Sequence, residues 1–172
     1  MSFQLHNFEP DFGSLIQKRH LETIEAIKSV TDKFYITGSI ALSLLGIIRR
    51  QINDVDIVVW DKSEMQKIYE TFGGEFYENY DQEKPCDMTD FIPNHLRFQL
   101  AGIPVCVFYM QHEKTQDVVM NGVTYCVSNP QSIIAVKFNY IRNAVDSTTP
   151  ESKKRLLKNL NDISDYTFYL TK

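Results

Sequence analysis

The stretch Phe34-Tyr-Ile-Thr-Gly-Ser39, a helix-length gap, and then Asn53-Asp-Val-Asp-Ile-Val-Val-Trp60 constrain the fold more than any other part of the chain. Phe34 to Thr37 is a short β-prone run that ends on Gly38-Ser39, where a tight turn into a helix over Ile40 to Gly46 is predicted. Val55 to Trp60 is a nearly unbroken β-branched run, as expected of a central strand covered on both faces. Side chains alternate along a strand, so Asp54 and Asp56 project from one face, about 7 Å apart along the backbone. Like charges at that range raise a pKa or cost stability unless a cation lies between them, which makes a shared divalent metal the expected reason for the pair.

The rest of the chain fits one domain over 1–172: an N-terminal helix within 1–32, a sheet core over 33–127 with a variable loop at 75–94, and C-terminal helices over 128–172. Asp11 can cap a helix in which Leu15, Leu21, Ile24 and Ile27 recur at nearly helical spacing through about Val30. Asp61 and Ser63 offer caps for another through Phe72, and Gly73-Gly74 break it. The acid-rich stretch 75–94 shows no sustained period beyond a possible short strand at 75–78 and reads as a loop or lid. His95 to Leu100, the turn Ala101-Gly102, and Ile103 to Met110 form a predicted hairpin; Asn121-Gly122 centres a second. Asn129-Pro130 and Thr149-Pro150 each read as an N-cap followed by proline at the first helical position. In the last helix the spacing assigns Leu156, Leu160, Ile163 and Leu170 to the inward face. The expected class is α+β, a mixed sheet flanked by helices.

Composition narrows the partners. A net charge of −4 argues against a general grip on nucleic acid, though not against a local basic patch. An odd count of three cysteines, Cys86, Cys106 and Cys126, without a CxxC pair or a secretory leader, points to reduced thiols in the cytoplasm and no disulfide. No run approaches the roughly 20 apolar residues of a membrane span. His6, His20, His95 and His112 lack zinc spacing. Lys153, Lys154, Arg155 and Lys158 crowd the start of the last helix, where they read as a solvated face or as an RNA contact, with tRNA one option.

Gly38-Ser-Ile-Ala-Leu-Ser-Leu-Leu-Gly46, then Arg50, then Asp54-Val-Asp56 resembles the signature of the nucleotidyltransferase superfamily, whose members include enzymes of the DNA polymerase β type. Among its branches the chain is most similar to the small bacterial ones: minimal nucleotidyltransferases, antibiotic nucleotidyltransferases and abortive-infection toxins. The resemblance implies transfer of an NMP group from an NTP, ATP by expectation, to a hydroxyl of an acceptor that the sequence does not name. It assigns Mg2+ or Mn2+ to Asp54 and Asp56 as catalytic ligands, and phosphate binding to Gly38, Ser39, Arg50 and Lys137. The chemistry is consistent with this: Mg2+ prefers carboxylates and waters, a glycine admits a phosphate to the backbone, and an arginine fork matches phosphate oxygens.

Each element has a plainer reading. Gly-Ser turns open many helices, an Asp-x-Asp can be an Asx-turn feature, and Arg50 beside Arg49 can be a solvated pair. Lys137, four residues after Ile133 and four before Ile141, projects from an apolar face, so it requires an anion or a stem that snorkels its ammonium to water. The resemblance also implies a third carboxylate on the strand after Gly102, and there this chain has Cys106. A thiol is a poor ligand for a hard cation. Glu113, Asp117 or an acid of the 80–94 loop would have to replace it. The alternative function is therefore a catalytically degenerate protein of this fold that binds nucleotide or a protein partner, for instance in a toxin–antitoxin or defence system. Oligomeric state is left open.

Overall fold

The computed structural model describes residues 3–4, 16, 18–78, 83–86, 93–146 and 148–172. Strands β1 (Phe3–Gln4), β2 (Tyr35–Thr37), β3 (Val55–Val59), β4 (Glu75–Tyr77), β5 (His95–Leu100), β6 (Ile103–Tyr109), β7 (Thr115–Met120) and β8 (Val123–Ser128) build one mixed sheet. Its order is β1-β7-β8-β2-β3-β6-β5-β4. Helices α1 (Lys18–Lys28), α2 (Gly38–Leu44), α3 (Lys62–Phe72), α4 (Pro130–Ala144) and α5 (Pro150–Leu170) accompany it. Asp11 and Leu15 lie outside the described residues. Among these, no helix is long and apolar enough to cross a membrane.

Local chemistry accounts for most of the boundaries. Asp61 accepts a hydrogen bond from the Ser63 amide at 2.9 Å to cap α3, and Asn129 and Thr149 do the same for α4 and α5, each followed by its proline. α2 ends in a Schellman arrangement: Gly46 has φ +70°, its amide donates to the Ser43 carbonyl, and the Ile47 amide donates to that of Leu42. The two hairpin turns place Ala101-Gly102 and Asn121-Gly122 at positive φ, the conformation that matches the twist of the strands they join.

The two faces of the sheet differ in kind. Val55, Ile57 and Val59 of β3, Val105, Val107 and Tyr109 of β6, and Leu96 and Phe98 of β5 point into the main core, where they meet Ile24 and Ile27 of α1 and Met65 and Ile68 of α3. Each fully buried aliphatic side chain there contributes about 1.5–3 kcal/mol. The opposite face carries Asp56 and Val58 of β3, Cys106 and Phe108 of β6, and His95 and Arg97 of β5, with only a small cluster of Tyr35, Val58 and Met110 as its core.

Two expectations need correcting. The leader contributes β1, which pairs with β7 in parallel, so the sheet reaches beyond residues 33–127. Two residues are too few to show periodicity. On α5, Leu160 and Leu170 are exposed (47% and 63%) and Leu156 and Ile163 only half-buried, while the buried residues are Asp162 and Tyr166. The inward side is centred about a quarter turn from the leucine line, because a charged group, not an apolar stripe, docks the helix.

Candidate active site

Gly38 ends the β2 strand with φ +66°, and a Cβ built on it would overlap Asp56 Oδ2 and lie 3.1 Å from the Asp56 Cβ and Cγ. Only glycine lets this backbone lie directly against that carboxylate. β3 runs antiparallel to β2, which sets Asp56 opposite Thr37 and brings the turn and the acid together. Asp54 precedes the strand, and both aspartates are half-buried. Burial, and then the charge of Asp54, raise the Asp56 carboxyl to about 7 against the opposing influence of Lys158, Lys137 and Arg97. Two hard oxygen donors whose mutual repulsion a cation would relieve fit Mg2+ or Mn2+.

The third position is as the sequence has it. In the parallel β3–β6 register Cys106 sits opposite Asp56, and in the β5–β6 register Arg97 sits opposite Cys106. Burial foremost, then the Asp56 charge, push the thiol up to about 12 although Arg97 hydrogen-bonds to it. Held protonated in the metal-free protein, the thiol is a poor ligand for a hard cation. Glu113 instead accepts from the Tyr35 hydroxyl at 3.4 Å, and Asp117 pairs with Cys126 on β7, which β8 and β2 separate from β3. Asp81, Asp87 and Asp90 lie outside the described residues. Among the described residues no group of three His, Cys, Asp or Glu side chains is placed to hold one metal ion.

Ser39, Arg50 and Lys137 do come together, around a residue that the sequence reading missed. Asp162 of α5 is fully buried. Arg50 grips it with both arms of its fork, Nε to Oδ1 at 2.7 Å and Nη2 to Oδ2 at 2.9 Å, and Lys137 Nζ lies 2.8 Å from Oδ2. Ser39 Oγ accepts from Arg50 and, at 3.3 Å, from Lys137, and donates to Asp162 at 3.3 Å. Lys137 therefore neither snorkels nor stands free. Burial lowers its pKa, and Asp162 opposes that shift. Burial would raise Asp162, but the hydrogen bond from Arg50 and the charge of Lys137 overcome it and hold the carboxyl below its ordinary range. The spacing of α5 carries no signal for Asp162, which lies off the line of Leu156, Leu160, Ile163 and Leu170 on a side that the sequence pattern leaves polar.

No family model matches the sequence, and no curated protein matches it significantly. Solved structures do. One is TM1012 of Thermotoga maritima, described as a candidate nucleotidyltransferase, with TM-score 0.57, 18% identity, and 86% of this chain and 96% of that one covered. Another is ANT(2")-Ia in complex with adenylyl-2"-tobramycin, with TM-score 0.54, 16% identity, and 88% and 99% covered. This chain has the nucleotidyltransferase fold. The agreement covers the mixed sheet and the C-terminal helices, so the nucleotidyltransferase fold extends across nearly the whole chain and is not confined to the segment around Gly38 and Asp56.

Proposed function

We propose that this protein is a metal-dependent nucleotidyltransferase that moves an NMP group from an NTP to a hydroxyl. The observation that carries the reading is the Gly38 backbone set against the carboxylate of Asp56, with Asp54 two residues away, in a chain of the nucleotidyltransferase fold. Asp54 and Asp56 would hold the divalent ion, which when bound stabilises charge on the phosphate oxygens. The positive φ of Gly38 lets its backbone lie against the Asp56 carboxylate, so the turn brings that acid and the start of α2 together. Ser39, Arg50, Lys137 and Asp162 together keep one net positive charge on the other side of that glycine, a field that favours a polyphosphate. The acceptor oxygen attacks the α-phosphorus, a new P–O bond forms, and the bond to the β-phosphate oxygen breaks to release pyrophosphate. The acceptor's hydroxyl proton passes to solvent, because a thiol and not a carboxylate stands opposite Asp56 to take it, and transfer is expected to be slow.

The test is incubation with α-labelled NTPs and Mg2+ or Mn2+ in the presence of cell extract. Label should move to an acceptor with wild-type protein and not with Asp56→Asn. Equal labelling by the two proteins, or none by either, overturns the proposal.

A further inference from the structure

Each cation near the sheet's open face either has an anionic partner or lacks one. Arg50 and Lys137 have Asp162. Arg97 and Lys158 do not: among the described residues no carboxylate lies within ion-pair distance of either. Both act on Asp56, whose ionised form their charges favour. Arg97 lies in the same row as Asp56, one strand beyond Cys106, and its guanidinium sits 4.8 Å from the centre of the Tyr77 ring, which fixes its direction. Lys158 lies one helical turn before Asp162, on the side of α5 that docks inward, and is half-buried where Lys153 and Arg155 are exposed. The two cations approach from different elements, the sheet and the last helix.

The charges then balance in a particular way. One divalent ion neutralises Asp54 and Asp56, which leaves Arg97, exposed, and Lys158, half-buried, as two positive charges without a counter-ion. Two such donors favour an anion with several oxygens. We propose that Arg97 and Lys158 form a phosphate site on the Cys106 side of Asp56, distinct from the cluster that Asp162 fills. The proposal rests on the nucleotidyltransferase reading for its metal and nucleotide, and assigns the phosphate grip to residues other than Arg50 and Lys137, whose donors are committed within the protein. The phosphate can be the NTP's own β- or γ-phosphate or one carried by the acceptor.

The experiment is calorimetry with Mn2+ and a non-hydrolysable ATP analogue, on wild type, Arg97→Ala, Lys158→Ala and Lys153→Ala. A parallel titration uses inorganic phosphate in the presence of saturating Mn2+ and analogue. For the nucleotide's phosphates, Arg97→Ala and Lys158→Ala each weaken analogue binding about tenfold, by the strength of one charge-assisted contact, and Lys153→Ala does not. For an acceptor phosphate, analogue affinity stays constant and the inorganic phosphate bound by wild type is lost in the same two variants. If all four proteins bind both probes alike, or wild type binds analogue but no phosphate and the variants match it, the phosphate site is refuted while the nucleotide reading stands. If wild type binds no analogue, that reading fails, and phosphate titrated with Mn2+ alone decides the site: binding lost in Arg97→Ala and Lys158→Ala upholds it, and no binding refutes it.

Discussion

The two charged clusters around Gly38 differ in how completely the protein satisfies them. Asp162 has three partners in Ser39, Arg50 and Lys137, all within the chain, whereas Asp56 lies against the Gly38 backbone with the charge of Asp54 acting on it and a thiol as its strand neighbour. One cluster is closed and holds α4 and α5 against the α2 turn. The other is open and raises the energy of its own folded state. A charge that the fold satisfies is doing structural work, and a charge left unsatisfied marks where something from outside is meant to bind.

The comparison can be broken most directly at Asp162. Asp162→Ala should cost about 3–5 kcal/mol in urea denaturation, because it leaves Lys137 and Arg50 buried without their anion. A loss under 1 kcal/mol would mean that the closed cluster contributes little. Asp56→Asn should act in the opposite direction, stabilising the metal-free protein at pH 8 by on the order of 1–3 kcal/mol. The signs follow from the shifts. Asp56 binds its proton more tightly folded than unfolded, so its effect on stability worsens as pH rises from the ordinary carboxylate range to about 7. Asp162 binds its proton less tightly when folded, so its contribution is present above that range and is lost as pH falls below it. A stability profile from pH 4 to 8 that falls less steeply in Asp56→Asn than in wild type would support the open cluster.

Smaller effects sharpen the contrast. Gly38→Ala should cost about 2 kcal/mol from the positive φ and the contact with Asp56, and should abolish any rise in melting temperature on adding Mn2+. Cys106→Asp adds a third acid to the row. It should destabilise the metal-free protein by about 1–2 kcal/mol and enlarge the Mn2+-induced rise beyond that of wild type; an unchanged rise would show that this row does not face the metal. Asp61→Ala, far from both clusters, should lose about 1 kcal/mol of capping energy and leave the metal response as it was.

What the sequence made legible follows from the range of each signal. The Gly38-Ser39 turn, the β-branched run of β3, the caps Asp61, Asn129 and Thr149, and the Asn121-Gly122 hairpin are set by a few neighbouring residues, and they stand as read. The place of Cys106 beside Asp56 came only with the resemblance, which implies a carboxylate at that strand position; no local pattern sets the parallel β3–β6 register. The partner of Lys137 was not legible either. Asp162 is 25 residues on by the sequence numbering, in another helix, and helical periodicity cannot say that one charged residue on an apolar face cancels another. The same limit holds for α5, where the leucine spacing points to one edge and the helix docks on the side of Asp162 and Tyr166. Arg97 and Lys158 gain meaning only from strand order and helix packing, which no local pattern contains.

The closed cluster also has a consequence for the order of events during synthesis. Ser39 and Asp162 are separated by 123 positions, and Arg50 and Asp162 by 112. A ribosome must therefore deliver the 123 residues that follow Ser39 before the α2 turn acquires its lock. Until α5 emerges, Arg50 and Lys137 lack the carboxylate that pairs with them in the fold. A helix made 112 residues after Arg50 and 123 after Ser39 is the one that completes the first turn of the site.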